Sequence, residues 1–422
     1  MKKNGLQSGA FLSLTGQTFS IRFSAQNPTL FRGPQNKQTR KVNVTTKNIS
    51  LTPAVFHLPH RVNAIAPIYA ENPIVPRGPR LAPILGRVQE KLRKALGCQE
   101  THDPVMLTCS GSGAIAAALG SCVRSKDSTR NPRILVISNG AYGERQARYA
   151  NQIGLSTTHY ALAYGERPDL DEVERLVTEN DVDAIGLVHG ATSTCSVNPM
   201  TEIGAIAKRL GKTYVVDGIA SLFVEEIDLE AASVDVMIGS TNKGLHANPD
   251  LAFVLVAKPL LEQVCEESGR IPYLDLGEAW KSQRSGGHPY TINIRALLEV
   301  EAALDSLNDE GGVSGRIAIY KSRNQLLRAG YREIGLKTFE HPGMPLQNIG
   351  TALWIPEGVQ YSILADDLAS WDHENGECYE IYSAQGRLAD RVFRIFNMGE
   401  YSLETYSRFL EALKACLQKQ TG

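Results

Sequence analysis

Residues 213–243 have the sequence TYVVDGIASLFVEEIDLEAASVDVMIGSTNK. Two runs within this stretch, Thr213–Gly218 and Asp235–Thr241, are apolar through most of their length. Continuous apolar strands are buried on both faces, so such runs indicate a mostly parallel sheet that is covered by helices. Asp217 lies near the end of the first run, and Lys243 follows the second. Both residues therefore fall at strand ends, which is where open α/β sheets bind their ligands.

The same alternation of apolar runs and amphipathic segments extends over most of the chain. Two segments between the runs, Asp169–Thr178 and Met200–Leu210, carry apolar residues at helical spacing. Alternating strands and helices over this length predict an α/β fold with a large, mostly parallel, doubly wound sheet. Further strands are predicted at Val105–Cys109, Arg133–Ser138, Ser156–Ala163, Asp183–His189 and Leu251–Ala257.

The C-terminal third has a different pattern, which predicts a smaller α+β domain. Its long helices are predicted at Ile294–Leu307, Arg316–Ile334 and Ser402–Gln418, and its strands near Gly350–Ile355, Cys378–Ser383 and Arg391–Asn397. We therefore divide the chain into a basic N-terminal extension (1–46), a large domain (47–290) and a small C-terminal domain (291–422).

Composition and charge argue against several classes of protein. The chain has 422 residues and a net charge of −1, whereas a nucleic-acid partner calls for a basic face. No apolar run reaches the roughly 20 residues that span a bilayer, so no membrane association is predicted. The seven cysteines form no C-x-x-C pair, which indicates neither a zinc site nor a disulfide framework. No metal site is predicted, and a reducing compartment is expected.

The first 70 residues contain no Asp or Glu but several Lys and Arg residues and many Ser and Thr residues. This acid-free pattern is typical of organellar transit peptides. The alternative, which we prefer, is a disordered or surface-docked extension. A cytoplasmic location is therefore the expectation, with an organelle as the alternative.

A run of small residues, Ser110–Ala114, follows one of the predicted strands. Small residues let the backbone approach a phosphate, which free N–H groups and the helix dipole then bind. The stretch also fits the dinucleotide fingerprint G-x-G-x-x-A through Gly111, Gly113 and Ala116. That alternative requires an acidic residue after the second strand, but this strand ends in Ser138-Asn139-Gly140. Nucleotide binding is therefore disfavoured.

Three further residues follow strands of their own. Tyr142 could stack on a planar ring or be an ordinary half-buried tyrosine. Asp217 could pair with a protonated pyridine nitrogen or cap the following helix. Lys243 could be a covalent anchor for a carbonyl group or a solvated lysine. Together with Ser110–Ala114, in this order along the chain, they indicate a site for pyridoxal 5'-phosphate.

These motifs resemble those of the class V aminotransferases of fold type I, and the most similar subgroup is that of the 2-aminoethylphosphonate–pyruvate and alanine–glyoxylate transaminases. The resemblance covers about Ile49 to Gln418. Its most specific segments are Leu51-Thr52-Pro53, Ser110–Gly113, Asn139–Gly143, His189–Pro199, Val216-Asp217, Ser240–Lys243 and Phe393-Arg394-Ile395.

The resemblance implies a role for each matching residue. Ser112, Gly113 and Ala114 would contact the cofactor phosphate, with Asn242 nearby. Arg394 would bind the substrate carboxylate through its planar guanidinium. Thr291 would reach the phosphate of a neighbouring subunit, which implies a homodimer. Tyr142 would stack on the cofactor ring, and Thr192 would lie beside its phenolic oxygen. Asp217 would pair with the pyridine nitrogen, and Lys243 would form the covalent link.

The chain departs from the family pattern at four places. Ala191 stands where an acidic residue is usual, and Cys195 stands where glycine is usual. Pro53-Ala54-Val55 replaces Pro-Gly-Pro, and Pro249-Asp250 replaces Pro-Gly. Most of these positions belong to the substrate side, so substrate identity is less constrained than cofactor binding.

The function implied is transamination, with Lys243 and Asp217 as the catalytic residues. An amino group would move from a small amine or amino acid, similar to 2-aminoethylphosphonate or alanine, to a small 2-oxo acid such as pyruvate or glyoxylate. The alternatives are β-elimination, desulfuration or racemisation with the same cofactor, or cofactor binding without catalysis. A desulfurase needs a thiolate on a mobile loop, for which Cys378 is the candidate.

Overall fold

The structure is a computed structural model that describes residues 47–371 and 376–421. Its strands are β1 Lys47–Ser50, β2 His102–Leu107, β3 Arg133–Ser138, β4 Ser156–Ala161, β5 Ala184–Val188, β6 Gly190–Ala191, β7 Ser196–Val197, β8 Thr213–Asp217, β9 Val236–Ser240, β10 Ala252–Ala257, β11 Gly350–Trp354, β12 Glu377–Glu380, β13 Tyr382–Ser383 and β14 Val392–Phe396. Its helices are α1 His60–Asn63, α2 Ile65–Glu71, α3 Leu81–Ala95, α4 Gly111–Cys122, α5 Ala141–Gln152, α6 Leu170–Glu179, α7 Met200–Arg209, α8 Lys258–Val264, α9 Leu276–Arg284, α10 Ile294–Asp309, α11 Gly312–Ile334, α12 Tyr361–Ala369 and α13 Leu403–Thr421.

The central sheet has seven strands in the order β2-β10-β9-β8-β5-β3-β4. Neighbours from β9 to β4 are parallel, whereas β10 runs antiparallel to both β9 and β2. Strands β2, β3, β5, β8 and β9 consequently all end at the same edge of the sheet. This arrangement confirms the predicted doubly wound, mostly parallel α/β fold.

Both faces of the sheet are buried, as the continuous apolar runs predict. In β3, Leu135 and Ile137 point into a cluster with residues of α3, α6, α7 and α10. Ile134 and Val136 point to the other face, into a cluster with residues of α4, α5, α8 and α9. Because side chains alternate along a strand, two helical layers require apolar residues at every position.

A second, smaller sheet lies in the C-terminal part of the chain, in the order β11-β14-β13. Its core also includes Ile49 and Leu51, which precede the large sheet in sequence. They reach it because β1 pairs in parallel with β12, with Ile49 opposite Tyr379. The N-terminal strand of the described chain therefore packs on C-terminal elements.

The predicted strands and helices are present, and most boundaries differ by one or two residues. Strand β3 has the predicted bounds, whereas the predicted Cys378–Ser383 strand is divided into β12 and β13. The predicted extension 1–46 lies outside the described residues, and the domain boundary at 290/291 stays a prediction. Within the parts of the chain that the structure describes, no helix combines the length and apolar character needed to cross a bilayer.

Candidate active site

A cavity of about 200 Å³ lies at the edge where the parallel strands end. It brings together residues from several strand ends and from the starts of helices α4 and α5. Six residues selected from the sequence line it: Ser112, Tyr142, Thr192, Asp217, Asn242 and Lys243. Other lining residues are Ser110, Gly111, Ile115, Arg145, Val188, Gly190, Ile219, Ala220, Ser240 and Pro249.

A larger cavity, of about 700 Å³, lies at the opposite ends of the strands, beside Thr213 and Asp235. None of the residues selected as cofactor contacts lines this larger cavity. The chemistry of the lining residues, and not the volume, therefore identifies the smaller cavity as the candidate site.

The start of helix α4 forms one wall of the candidate site. Ser110 precedes the helix in an extended conformation, and its side chain makes no capping hydrogen bond. Among the described residues, the N–H groups of Gly111 and Ser112 have no acceptor. A Cβ atom at Gly111 would lie 2.7 Å from Ile219 Cδ1 and 3.3 Å from Ser240 Cβ, so glycine lets the helix start close to the ends of β8 and β9 without displacing the Ile219 side chain. Free N–H groups at a helix start are suited to bind a phosphate.

The Asp217 carboxyl group ends β8 and is almost completely buried. Its Oδ1 atom accepts a hydrogen bond from Ile219 N–H at 3.0 Å, and Oδ2 has no partner among the described residues. Burial raises the pKa of Asp217 to about 6, although the Ile219 N–H group and the positive charges of Arg145 and Lys243 oppose the rise. A cation in the cavity would stabilise this carboxylate, as a protonated pyridine nitrogen does.

Lys243 follows β9, the parallel neighbour of β8. Its Nζ atom donates a hydrogen bond to the carbonyl oxygen of Pro53 at 2.6 Å. Burial lowers the pKa of Lys243 to about 8; the positive charges of Arg394 and Arg145 also lower it, whereas Asp217 raises it. A lysine with a lowered pKa has a larger neutral fraction near physiological pH, which nucleophilic attack and proton transfer both require.

Asn242 is oriented by a neighbour that was not selected from the sequence. The Ser240 hydroxyl donates to Asn242 Oδ1 at 2.7 Å. Because the amide oxygen is occupied, the amide nitrogen of Asn242 remains as a donor toward a ligand. Thr192, on the turn between β6 and β7, lies on the cavity wall and is buried.

Arg394 lies on β14 behind Thr192 and does not line the cavity. Its Nη1 atom donates to Thr192 O at 2.8 Å, and Nε and Nη2 donate to Ser383 O at 3.1 and 2.6 Å. Three of the five guanidinium N–H groups are thus used. The guanidinium is almost completely buried, and among the described residues it has no carboxylate partner. The other two N–H groups have no acceptor among the described residues.

Arg145 lines the cavity and was missed by the sequence reasoning. It lies on α5 one turn after Tyr142, and its guanidinium carbon is 5.0 Å from the centre of the Tyr142 ring. Residues at this spacing lie on the same face of a helix, so the Tyr142–Arg145 interval was the signal that could have identified it.

Several other candidates lie away from the cavity. Gly113 and Ala114 belong to the first turn of α4 and do not line the cavity, and both of their N–H groups donate to Ser110 O. Thr291 is exposed, outside the cavity of its own chain. Three buried or partly buried histidines, His102, His246 and His288, also lie outside this cavity.

Comparison with known proteins places this geometry in a family. A match to the aminotransferase class V family covers residues 75–343. The 2-aminoethylphosphonate–pyruvate transaminases of Salmonella schwarzengrund and Salmonella typhimurium are each 31% identical over 339 residues, which is 79% of this chain and 89% of theirs. The chain belongs to the class V aminotransferases. It is accordingly a pyridoxal-phosphate-dependent enzyme, as predicted.

Solved structures confirm the class V fold, which is fold type I. Alanine–glyoxylate aminotransferase from Nostoc sp. superposes with a TM-score of 0.79 at 21% identity, over 90% of this chain and 97% of that one. Aspartate aminotransferase from Thermus thermophilus superposes with a TM-score of 0.76 at 24% identity, over 89% and 99%.

The donor set of the cavity fits the class V cofactor. The free N–H groups of α4 suit its phosphate, the unpaired Asp217 oxygen suits its ring nitrogen, and Lys243 suits its carbonyl carbon. These are three different chemical requirements, and one cavity meets all of them.

Two departures from the class V pattern have visible structural consequences. Cys195 has φ 52°, in the left-handed region that favours glycine, so the backbone keeps the conformation of the usual residue. Asp250, where glycine is usual, forms an ion pair with Arg295 at 2.5 Å and does not line the cavity. Ala191 is buried in β6 and supplies no charge near Thr192.

Proposed function

We propose that this aminotransferase moves an amino group between a small amine, such as 2-aminoethylphosphonate or alanine, and a small 2-oxo acid, such as pyruvate or glyoxylate. The observation that carries the proposal is the position of Lys243, in one cavity with Asp217 and with Thr192, whose carbonyl oxygen accepts a hydrogen bond from the buried guanidinium of Arg394. The relatives named 2-aminoethylphosphonate–pyruvate transaminase support this choice of substrates.

In this proposal Lys243 moves the proton and Asp217 keeps the ring nitrogen protonated. When bound, pyridoxal phosphate supplies an electron sink for the carbon that loses its proton. The neutral Lys243 amine would take the proton from that carbon as a base and would then, as an acid, deliver it to a different carbon, the former carbonyl carbon of the cofactor. The carbonyl oxygen of Pro53 accepts from Nζ and can orient the amine during both steps.

Arg394 positions the 2-oxo acid in this proposal. A guanidinium can donate two parallel hydrogen bonds to one carboxylate, which fixes the orientation of the substrate. The Thr192 and Ser383 carbonyls hold the guanidinium plane in place before the substrate arrives. The absence of an acidic side chain at Ala191 leaves the positive charge of this region uncompensated, which favours an anionic substrate.

The proposal is tested by single-turnover absorbance measurements on the purified protein with its cofactor. Borohydride should trap the cofactor on one peptide, which contains Lys243. 2-Aminoethylphosphonate or alanine should convert the cofactor to its amino form, and pyruvate or glyoxylate should reverse the change. If both amines failed while another succeeded, the substrate assignment would be wrong. Trapping on any other lysine would contradict the role of Lys243.

The position of Cys378 argues against the alternative of desulfuration. Cys378 lies within β12, where it pairs with Asn48, and it does not line the cavity. Burial raises the pKa of its thiol, which disfavours the thiolate that this reaction needs.

We further propose a homodimer in which Thr291 contributes to the cavity of the partner. In support, Thr291 is exposed and helix α2 has no buried residue. Ile68, on α2, and Val75, four residues after its end, are 59% and 69% exposed, and a second copy could cover these apolar side chains. Sedimentation should show a dimer that survives removal of residues 1–46; a fully active monomer would refute the proposal.

A cytoplasmic location remains a proposal, supported by the seven cysteines, all of which are free. Residues 1–46 fused to a fluorescent reporter test the organellar alternative. A reporter that stays in the cytoplasm supports our proposal, and import into an organelle would overturn it.

A further inference from the structure

Arg145 connects two of the predicted cofactor contacts. Its Nη1 atom donates a hydrogen bond to Ser112 Oγ at 3.2 Å, at the start of α4. Its guanidinium also lies over the Tyr142 ring, at 5.0 Å from the ring centre. The side chain therefore joins the predicted phosphate-binding turn to the predicted stacking ring.

The Arg145 guanidinium forms no ion pair in the described part of the chain, although its charge acts on Asp217 in the same cavity. No carboxylate lies within ion-pair distance of it there, and the Ser112 hydroxyl is its one hydrogen-bond acceptor. Another arginine of the same domain, Arg130, forms an ion pair with Asp183 at 2.7 Å. A guanidinium that lines a ligand cavity without a carboxylate partner is suited to bind an anion.

The hydrogen bond to Ser112 also determines what the serine can do. A hydroxyl oxygen that accepts from Arg145 keeps its own proton free to donate elsewhere. The remaining direction is toward the cavity, where the N–H groups of Gly111 and Ser112 also lack acceptors. Three kinds of donor, namely backbone N–H, serine O–H and guanidinium, thus surround the same place.

We propose that Arg145 is a phosphate-binding residue of this enzyme, which donates to a cofactor phosphate oxygen and orients the Ser112 hydroxyl toward the same group. The proposal deepens the proposed function and rests on its cofactor site. Stacking on Tyr142 holds the guanidinium in place, and cation–π contacts of this kind are favourable for arginine.

The test compares two ligands that differ only in the phosphate. The full-length protein is freed of cofactor, and the Kd values of pyridoxal 5'-phosphate and of pyridoxal are measured by fluorescence quenching. Arg145→Gln should weaken binding of the phosphorylated ligand by roughly tenfold to a hundredfold, the range for one hydrogen bond to a charged group. Binding of pyridoxal should change by less than about threefold, because pyridoxal lacks the group that Arg145 contacts.

Arg148→Gln is the matched control. Arg148 lies on the same helix, also over a tyrosine ring, but it is exposed and does not line the cavity. Both Kd values should therefore stay at the wild-type level in this variant. A drop of pyridoxal phosphate affinity as large as that of Arg145→Gln would show that a general charge effect is responsible and would overturn the proposal.

Arg145→Lys and thermal unfolding separate binding from folding. The lysine variant keeps the charge and should recover part of the lost affinity, with the unfolding temperature of both Arg145 variants near that of wild type. If Arg145→Gln weakened the binding of both ligands equally, Arg145 would act only through the Tyr142 ring. If both Kd values stayed unchanged, Arg145 would not contact the phosphate. Either result would overturn the proposal. If wild type binds the cofactor but converts no amine, the proposed function fails while these Kd ratios still decide the role of Arg145.

Discussion

Replacement of Asp217 by asparagine should make the cofactor-free protein more stable and the enzyme much slower. Asparagine keeps an oxygen that can accept the Ile219 N–H hydrogen bond, so the local backbone is preserved. The substitution removes only the negative charge, which is buried and lacks a cationic hydrogen-bond partner among the described residues. The effect therefore measures the charge and not the shape of the side chain.

The magnitude follows from the pKa of Asp217, which burial raises from 3.8 to about 6. At 1.36 kcal/mol per tenfold change in proton affinity, ionisation of this carboxyl group destabilises the folded protein by roughly 3 kcal/mol. A carboxyl group with a raised pKa lowers stability as the pH increases from the unfolded pKa to the folded one. The destabilisation should develop between pH 4 and about 6 and be complete above that range.

Urea unfolding of the cofactor-free protein measures this effect. At pH 7.5 the free energy of unfolding of the Asp217→Asn variant should exceed that of wild type by up to roughly 3 kcal/mol, and this difference should shrink toward pH 4. The rate of the amine half-reaction should fall on the order of 10² or more, because the ring nitrogen loses its partner. Asp235→Asn is a control, since Asp235 is a partly buried carboxylate outside the cavity and should leave this rate unchanged. A less stable Asp217→Asn variant with a wild-type rate would refute the reasoning and identify Asp217 as a structural cap.

Burial lowers the pKa of Lys243 to about 8, and only the neutral amine attacks the cofactor. The rate of covalent capture should therefore rise with pH and level off above about pH 8. Stopped-flow rates that still rise at pH 10 would contradict this prediction. Arg394→Lys keeps the positive charge but loses the planar guanidinium that can donate two parallel hydrogen bonds, so KM for the 2-oxo acid should rise roughly tenfold or more. The cofactor absorbance should stay constant. An unchanged KM would mean that Arg394 only supports the backbone. Gly204→Ala should lower the free energy of unfolding by roughly 1–3 kcal/mol, because the new Cβ atom would lie 1.9 Å from Ala232 O. In the same urea assay Gly86→Ala should raise the free energy of unfolding by roughly 0.5–1 kcal/mol, because its new Cβ atom would have no neighbour within 4 Å.

Much of the large domain could be predicted because several of its strands, such as β5, β9 and β10, are apolar and buried through almost their whole length. The alternation of β3 side chains between two helical layers leaves no polar face, so a short run such as Arg133–Ser138 is recognisable by itself. The C-terminal sheet was less predictable. Its strands are short, and the pairing of β1 with β12 joins residues that are far apart in sequence, so no local pattern indicates it.

The candidate site was predicted best where a residue follows its own strand. Asp217, Lys243 and Tyr142 were selected in this way, and all three line one cavity. The backbone carbonyl of Pro53 could not be selected, because a main-chain oxygen has no residue type that marks it. Arg145 could have been selected from its spacing to Tyr142, but an arginine on an amphipathic helix is usually solvated.

By itself the sequence determined the doubly wound sheet, the order of chemical groups along the strands and the cofactor that such an order fits. These properties are local, since each depends on the apolar run that forms a strand and on the few residues that follow it. Only the tertiary structure decided which donors and acceptors have no partner among the described residues, namely one Asp217 oxygen and the first N–H groups of α4, and which guanidinium groups have no carboxylate partner there, namely those of Arg145 and Arg394. Whether a polar group is already bonded depends on neighbours from distant parts of the chain, and those neighbours are set by packing and not by the adjacent sequence.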